Sequence, residues 1–164
     1  MTLSARRLLA ADAEAYRAIR IEGLTHAPAA FGSSLAEEGE QPDGWWTDRL
    51  QRNHMFGLFD GETLLGVAGF YIEGMEKVRH RAHLIGVYLR PAARGKGAGQ
   101  LLLQAVIEEA RRQVKQLHLA VTTDNEPARR LYERMGFVVY GEDPRGLRVG
   151  EKFYDDYLMV LRLD

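Results

Sequence analysis

Hydrophobic and polar positions change their spacing several times along the chain, which predicts short strands and helices in alternation. In the first half, apolar positions with helical spacing follow Asp12, the expected N-cap, and end near Gly23. Two apolar runs are then joined by Asp60-Gly61, a dipeptide that favours the positive φ of a hairpin turn. The predicted elements here are a strand at 4–9, the helix ending near Gly23, short helices at 28–38 and 43–52, and strands at 54–60, 63–72 and 79–89.

The pattern becomes helical after Pro91 and then returns to strands around one more helix. Apolar residues between 102 and 114 fall on one face of the first of these helices. Gly136 followed by Phe137 is typical of a left-handed helix stop. The predicted elements are the helix after Pro91, a strand at 117–121, an amphipathic helix through 128–135, and strands at 137–140 and 153–163. This order indicates one α/β domain over residues 1–164, with a mixed, mostly antiparallel sheet of about six to seven strands and about four helices.

A glycine-rich turn between the strand at 79–89 and the next helix carries the strongest chemical signal. It reads Arg94-Gly95-Lys96-Gly97-Ala98-Gly99. A helix N-terminus exposes unpaired backbone N–H groups, and glycines let a phosphate approach them closely. A Walker A loop is excluded because Gly97 stands where a hydroxyl residue is required, and Gln100 replaces the third glycine of a dinucleotide fingerprint. The turn therefore favours phosphate binding, with an ordinary loop bearing surface cations as the alternative.

The turn and its surroundings resemble the GNAT superfamily of N-acetyltransferases. The resemblance rests on Arg94-x-x-Gly97-x-Gly99 after Val87-Tyr88-Leu89, on the downstream Asn125, and on the run from Ala128 to Phe137. It covers most of the chain, and the pairing of the two motifs at this spacing is specific. The resemblance implies a sheet that splays open beside the fourth strand, with the pantetheine arm of acetyl-CoA in the gap.

The resemblance also assigns roles to individual residues. It implies that the backbone of Val87, Tyr88 and Leu89 pairs with pantetheine, and that Asn125 meets the same arm. Arg94, Gly95, Lys96, Gly97, Ala98 and Gly99 would wrap the pyrophosphate. Tyr132 would stand near the thioester sulfur and protonate the departing thiolate. The alternative for Tyr132 is a core tyrosine, since it shares a helical face with apolar neighbours.

Acetyl transfer to an amine requires a proton acceptor, because an alkyl ammonium with a pKa near 10.4, about that of lysine, is almost wholly protonated at neutral pH. The family often places a catalytic glutamate on the strand that precedes the glycine turn, but this strand offers Arg81 and His83 instead. His83 is therefore the candidate base, with a structural or solvent-facing histidine as the alternative. The other candidates are Glu22, Glu73 and Asp155.

Composition constrains the mechanism and the partners. The chain has no cysteine, which excludes a thiol acyl-enzyme and predicts direct transfer in a ternary complex. Its 22 Lys+Arg against 23 Asp+Glu leave a net charge of -1, so we expect neither nucleic-acid nor membrane binding. The five histidines form no metal-binding cluster, so we expect no metal. Because no apolar export signal precedes residue 10, we expect a cytoplasmic protein. The sequence leaves open whether the protein forms a homodimer.

The balanced charge conceals two segregated blocks. Residues 21–48 carry six acids and no Lys or Arg, whereas 77–107 carry six cations and no acid. The acidic block could attract a cationic amine and the basic block an anionic cofactor, with solvated faces as the alternative. Trp45 and Trp46 could line an acceptor pocket, or could divide between core packing and a partly exposed lid.

Two functional hypotheses follow. The first is an N-acetyltransferase that moves an acetyl group from acetyl-CoA to the primary amine of a small molecule, a peptide N-terminus or a lysine. The second keeps the fold and the cofactor but makes the protein a non-catalytic CoA-binding regulatory module, because no convincing base is evident in the sequence.

Overall fold

The computed structural model describes residues 1–164 as a seven-stranded mixed sheet that carries five α-helices. The strands are β1 (Leu3–Arg7), β2 (His54–Asp60), β3 (Thr63–Ile72), β4 (Arg81–Leu89), β5 (Gln116–Thr122), β6 (Val138–Val149) and β7 (Lys152–Arg162). The helices are α1 (Ala13–His26), α2 (Leu35–Glu38), α3 (Asp43–Arg52), α4 (Ala98–Gln113) and α5 (Glu126–Arg134). The sheet order is β1-β2-β3-β4-β5-β7-β6, and only β4 and β5 run parallel. The predicted fold class is confirmed.

The two faces of the sheet hold separate hydrophobic cores, because successive strand residues point to opposite faces. On β2, Phe56 and Leu58 join the larger core, which includes the apolar face of α4. Met55 on the same strand joins the smaller core beneath α1 and α3. None of the helices combines the length and the apolar character needed to cross a lipid bilayer.

The sheet splays open between its two parallel strands. β4 and β5 pair only where Arg81, Ala82 and His83 lie beside residues 116–118 of β5, and beyond His83 the two strands separate. A β-bulge interrupts the pairing of β4 with β3 in this region, and it contains Gly86 at a φ of 63°. That φ lies in the left-handed region, where a side chain is strained, so glycine permits the bulge here. The predicted splay beside the fourth strand is confirmed.

Several local predictions agree with the structure. The hairpin at 54–60 and 63–72 has the predicted bounds, and Gly61 has a φ of 60°. The sequence leaves Asp124, Asn125 and Glu126 as possible caps of α5, and in the structure Asn125 accepts a hydrogen bond from the backbone N–H of Ala128 at 3.3 Å. Gly136 ends that helix with a φ of 103°, and the next residue, Phe137, is buried.

Predictions for the first third of the chain need correction. The single helix expected at 28–38 is a 3₁₀ turn at Pro28–Ala30 followed by α2, because Phe31 adopts an extended conformation between them. The first helix passes Gly23 and ends at His26. Asp12 makes no capping hydrogen bond to that helix, because its carboxylate accepts instead from Arg6 and from the backbone N–H of Leu9.

The penultimate strand is also longer than predicted. A strand was expected at 137–140, whereas β6 extends from Val138 to Val149. It is the last strand at its edge of the sheet, and nearly all of its residues are exposed or half-buried, so no alternation of apolar and polar residues marks it. Antiparallel pairing with β7, with two shifts in register, holds it in the sheet.

Candidate active site

A cavity of about 1030 Å³ opens where β4 and β5 separate. Its walls come from both separated strands, the glycine turn, the start of α4, α5 and the segment at 27–33. The 3₁₀ turn in that segment contacts β4, β5 and β6, so it lies across the opening. This volume is at the upper end of the usual range of ligand cavities, about 300–1,000 Å³, so the cavity can hold a large ligand.

The glycine turn presents unpaired backbone donors at the start of α4. Gly97 is the N-cap at a φ of 71°, and Gly95 has a φ of 76°, so both occupy the left-handed region. The backbone N–H groups of Gly95, Lys96 and Gly97 have no backbone or side-chain acceptor within the chain. Combined with the positive end of the helix dipole, these donors can hold an anion.

The two charged side chains of the turn, Arg94 and Lys96, lie differently with respect to the cavity. The Nε of Arg94 donates to the backbone oxygen of Leu89 at 3.0 Å, which ties the turn to the end of β4. Arg94, Gly95, Gly97, Ala98 and Gly99 line the cavity. Lys96 is exposed and does not line the cavity, so any contact it makes with a pyrophosphate stays a prediction.

The free edge of β4 faces the cavity beyond the last pair with β5. Val87, Tyr88 and Leu89 all contribute to the wall. The Tyr88 hydroxyl donates to Glu22 Oε2 at 3.0 Å, and burial together with this hydrogen bond raises the pKa of Tyr88. Glu22, another candidate base, also pairs with Arg90 at 3.2 Å and does not line the cavity.

Tyr132 and Asn125 reach the cavity from α5 and its N-cap. The Tyr132 ring is 7% exposed and packs edge-on against Phe137, with 5.9 Å between ring centroids. Its hydroxyl has no hydrogen-bond partner in the chain, and burial raises its pKa. Tyr132 is therefore a protonated phenol that can donate a hydrogen bond into the cavity.

His83 lies at the apex of the splay, in the last paired register of β4 with β5. Its Nε2 is 3.4 Å from Glu73 Oε1, and its ring stacks on Tyr71 at 4.9 Å. Burial lowers the pKa of His83, opposed by Glu73 and assisted by Arg81. The imidazole is thus neutral at pH 7 and able to accept a proton.

Asp156 of β7 also lines the wall and is a second candidate base, which the sequence did not single out. Burial, with the neighbouring carboxylates Asp143 and Asp155, raises its pKa. The sequence candidate Asp155 does not line the cavity and instead accepts the backbone N–H of Arg145 at 2.8 Å. Adjacent strand residues point to opposite faces, and the sequence did not show which of the two acids would face the gap.

Comparison with known proteins agrees with this geometry. A model of the acetyltransferase (GNAT) family matches residues 20–137. The chain belongs to this family. It is therefore an acyltransferase by family, and its splayed sheet and glycine turn are the features that the sequence analysis had associated with the GNAT fold.

Individual relatives and structures point the same way. The chain is similar to the N-alpha-acetyltransferase RimI of Mycobacterium tuberculosis, at 36% identity over 74% of the chain and 67% of that protein. It is also similar to the L-amino acid N-acyltransferase MnaT of Escherichia coli, at 38% identity over 73% of the chain and 78% of that protein. It spans about half the length of other curated relatives that it matches. A phosphinothricin acetyltransferase from Sinorhizobium meliloti, solved in complex with acetyl-CoA, superposes with a TM-score of 0.85 at 19% identity, covering 99% of this chain and 89% of that one.

The wall of this GNAT cavity also carries a buried arginine that the sequence analysis missed. Arg20 of α1 is 3% exposed and lines the cavity. Its Nε and Nη2 donate to the two carboxylate oxygens of Glu38 at 2.9 and 3.0 Å, and its guanidinium lies 4.6 Å from the centroid of the Phe31 ring. A signal was present, because Arg20 lies between Tyr16 and Leu24 on the apolar stripe of its helix, where a cation is unusual.

The acidic block does not face the cavity. None of its six acids, Glu22, Glu37, Glu38, Glu40, Asp43 and Asp48, lines the wall. Burial acts to raise the pKa of Glu38, but the hydrogen bonds and charge of Arg20, with the charge of Arg49, outweigh it and leave the pKa lowered. Trp46 is buried in the smaller core and Trp45 packs edge-on against it, and neither reaches the cavity. The wall near α1 is therefore cationic rather than acidic.

Proposed function

We propose that this protein moves an acetyl group from acetyl-CoA to a primary amine, directly within a ternary complex. The observation that carries the proposal is the separation of β4 from β5 into a cavity that continues to the glycine turn. Membership of the acetyltransferase family supports the reaction, and the acetyl-CoA bound in the Sinorhizobium meliloti structure supports the donor.

The residues present fit coenzyme A. The unpaired N–H groups of Gly95, Lys96 and Gly97 suit a pyrophosphate, and the guanidinium of Arg94 adds positive charge beside them. The free backbone edge at Val87, Tyr88 and Leu89 suits the amide groups of a pantetheine arm, as one strand suits another. Ala98, Gly99 and Asn125 complete this part of the wall. When bound, acetyl-CoA supplies an activated acetyl thioester.

Tyr132 is the proposed proton donor to the leaving sulfur. A phenol is protonated at neutral pH, and burial raises the pKa of Tyr132 further. No group of the chain competes for the hydrogen bond that its hydroxyl can donate. A positioned general acid of this kind contributes roughly a hundredfold or more to a rate. Tyr132 also belongs to the larger core, so packing holds its ring in place.

His83 is the proposed proton acceptor for the amine. Burial lowers its pKa, so it is mostly neutral at pH 7, and Glu73 at 3.4 Å orients its ring and favours the protonated form. Asp156 is the competing candidate, because it lines the same cavity with a raised pKa. The absence of cysteine leaves no thiol for an acyl-enzyme, which supports direct transfer.

Initial-rate kinetics of thiol release test the proposal. Purified protein is mixed with acetyl-CoA and a panel of primary amines, with reactions lacking amine as the control. We expect amine-dependent release of CoA thiol, with double-reciprocal lines that intersect when both substrates are varied. Parallel lines would contradict direct transfer. Binding of CoA without thiol release from any amine would favour the regulatory module instead.

A further inference from the structure

Two arginines at the α1 end of the cavity share a single carboxylate. Arg20 pairs with Glu38 through both carboxylate oxygens, and Arg49 Nη1 lies 3.7 Å from Glu38 Oε2. Both arginines line the cavity, and their side chains are 4% and 17% exposed. Tyr16 accepts a hydrogen bond from Arg49 but brings no charge. This group of residues, the arginine cluster, thus has one positive charge more than its protein partners balance.

Arg20 also has hydrogen-bond donors that no group of the chain accepts from. Its Nη1 makes no hydrogen bond in the chain, although Nε and Nη2 are both engaged by Glu38. Nη1 is not fully buried, and Arg20 lines the cavity, so this nitrogen remains accessible from the cavity. The pairing with Glu38 and the stacking on Phe31 hold the guanidinium in one orientation. The free N–H groups of Nη1 can therefore donate to an anionic ligand in the cavity, as charge-assisted hydrogen bonds.

The free Nη1 lies beside the bulge of β4. A methyl group built on Gly86 would come within 3.2 Å of Arg20 Nη1, so the guanidinium nearly touches the β4 backbone there. Gly86 lies three residues beyond His83, the proposed base, and just before Val87. An anion bound by Arg20 would therefore lie along the same stretch of β4 as the proposed base.

From this geometry we infer that the acceptor is a free amino acid whose carboxylate is bound by Arg20. The planar fork of a guanidinium matches a carboxylate, and only one carbon separates the amine from the carboxylate of an α-amino acid. The inference rests on the proposed acetyl transfer and narrows its acceptor. A peptide N-terminus or a lysine side chain has no carboxylate so close to its amine. The name of the relative MnaT, an L-amino acid N-acyltransferase, agrees with this chemistry.

Matched acids and amides test the inference. Each standard amino acid with a primary amine is compared with its own carboxamide in the thiol-release reaction. The α-amino group of an amide has a pKa near that of a peptide N-terminus, about 7.7–8.0, so more of it is unprotonated at pH 7.5. Intrinsic reactivity thus favours the amide. We expect the best acid to exceed its amide in kcat/KM by about tenfold to a hundredfold, as one charge-assisted contact provides. Equal or better use of the amide would overturn the inference.

The arginine cluster is then altered directly. Arg20→Gln alone leaves Glu38 buried with a weaker partner, so the double variant Arg20→Gln/Glu38→Gln is the one to measure, because it removes both charges together. We expect the acid-to-amide ratio of kcat/KM to fall at least tenfold, chiefly through a raised KM for the acid. Arg6→Gln is the matched control, since Arg6 pairs with Asp12 at the surface and does not line the cavity. Equal losses for acid and amide would overturn the inference.

A binding measurement separates this inference from the proposed reaction. Thermal unfolding of the CoA-saturated protein is recorded with the same acids and amides. A rise in Tm with acids but not with amides, lost in the double variant, supports the carboxylate site. If the same protein acetylates no amine, the result contradicts the proposed reaction but not the carboxylate site. Acetylation of amides or simple amines with no preference for acids leaves the reaction standing and overturns the inference. If no acid is turned over and no acid raises Tm, the inference is also overturned.

Discussion

The two ends of the cavity offer different parts of the chain to a ligand. At the glycine-turn end, residues 94–99 and the edge of β4 present mainly backbone N–H and C=O groups. At the arginine end, the buried Arg20 and the half-buried Arg49 reach the wall, and Glu38 balances only one of their two charges. Backbone recognition depends on the path of the chain, whereas side-chain recognition depends on burial and charge pairing. Different kinds of substitution should therefore weaken ligand binding at the two ends.

This difference also suggests a division of labour. Backbone donors at a helix start bind a phosphate group irrespective of what it is attached to, which suits a donor common to a whole family. A buried guanidinium with a fixed orientation distinguishes acceptors that carry an anion from those that do not. Under the proposed function, specificity resides at the arginine end, and the glycine-turn end holds the donor.

The largest effect should come from Tyr132, because it serves the chemistry rather than either end. Tyr132→Phe removes the hydroxyl and keeps the buried ring, so we expect kcat to fall by about a hundredfold while both KM values stay within about twofold. Steady-state kinetics with both substrates varied measure this. Tyr154→Phe is the matched control, since Tyr154 lies on β7 away from the cavity wall. An unchanged kcat would leave Tyr132 with a packing role only.

The glycine-turn end could be predicted because its residues are contiguous. Six neighbouring residues contain the charges, the glycines and the helix start, so their function depends on local geometry alone. The same holds for the Asp60-Gly61 hairpin, where two residues determine the local backbone. The fold class followed from these local elements and their order.

The arginine end could not be predicted because distant parts of the chain build it. Arg20, Glu38 and Arg49 come from three helices, and Gly86 approaches Arg20 only after the sheet has formed. Glu38 was counted in an acidic block, although tertiary packing buries it against Arg20 and removes its charge from the surface. Similarly, β6 depends on its pairing with β7, which no local pattern of its exposed residues reveals.

A backbone change should affect the glycine-turn end alone. Gly97→Ala forces an L side chain into a φ of 71°, a strain of about 1–2 kcal/mol that displaces the turn. We expect KM for acetyl-CoA to rise about tenfold, with the acceptor KM unchanged, because no atom of the arginine cluster moves. Gly44→Ala is the control, since Gly44 lies in α3 without a positive φ and has open space around it. A comparable rise in the acceptor KM would mean that the two ends are not separate.

The smallest effect concerns the proton acceptor between the two ends. Glu73 raises the pKa of His83 against the lowering effect of burial. A base works in its neutral form, so activity is lost as the pH falls through the pKa of His83. Glu73→Gln lowers that pKa further, and the acidic limb of the kcat/KM profile should move to lower pH by less than about one unit, because the pair is partly exposed.

The position of that limb decides between the two candidate bases. Glu76→Gln is the matched control, because Glu76 is exposed on the same loop and forms no ion pair with His83. If the acidic limb of the kcat/KM profile moves in the Glu73→Gln variant but not in the Glu76→Gln control, the limb reports the titration of His83. A limb that stays in place in both variants removes His83 from the mechanism and favours Asp156, whose pKa is raised by burial and by Asp143 and Asp155 rather than by Glu73. In that event an Asp143→Asn variant should shift the limb to lower pH, since removing a neighbouring negative charge lowers the pKa of Asp156.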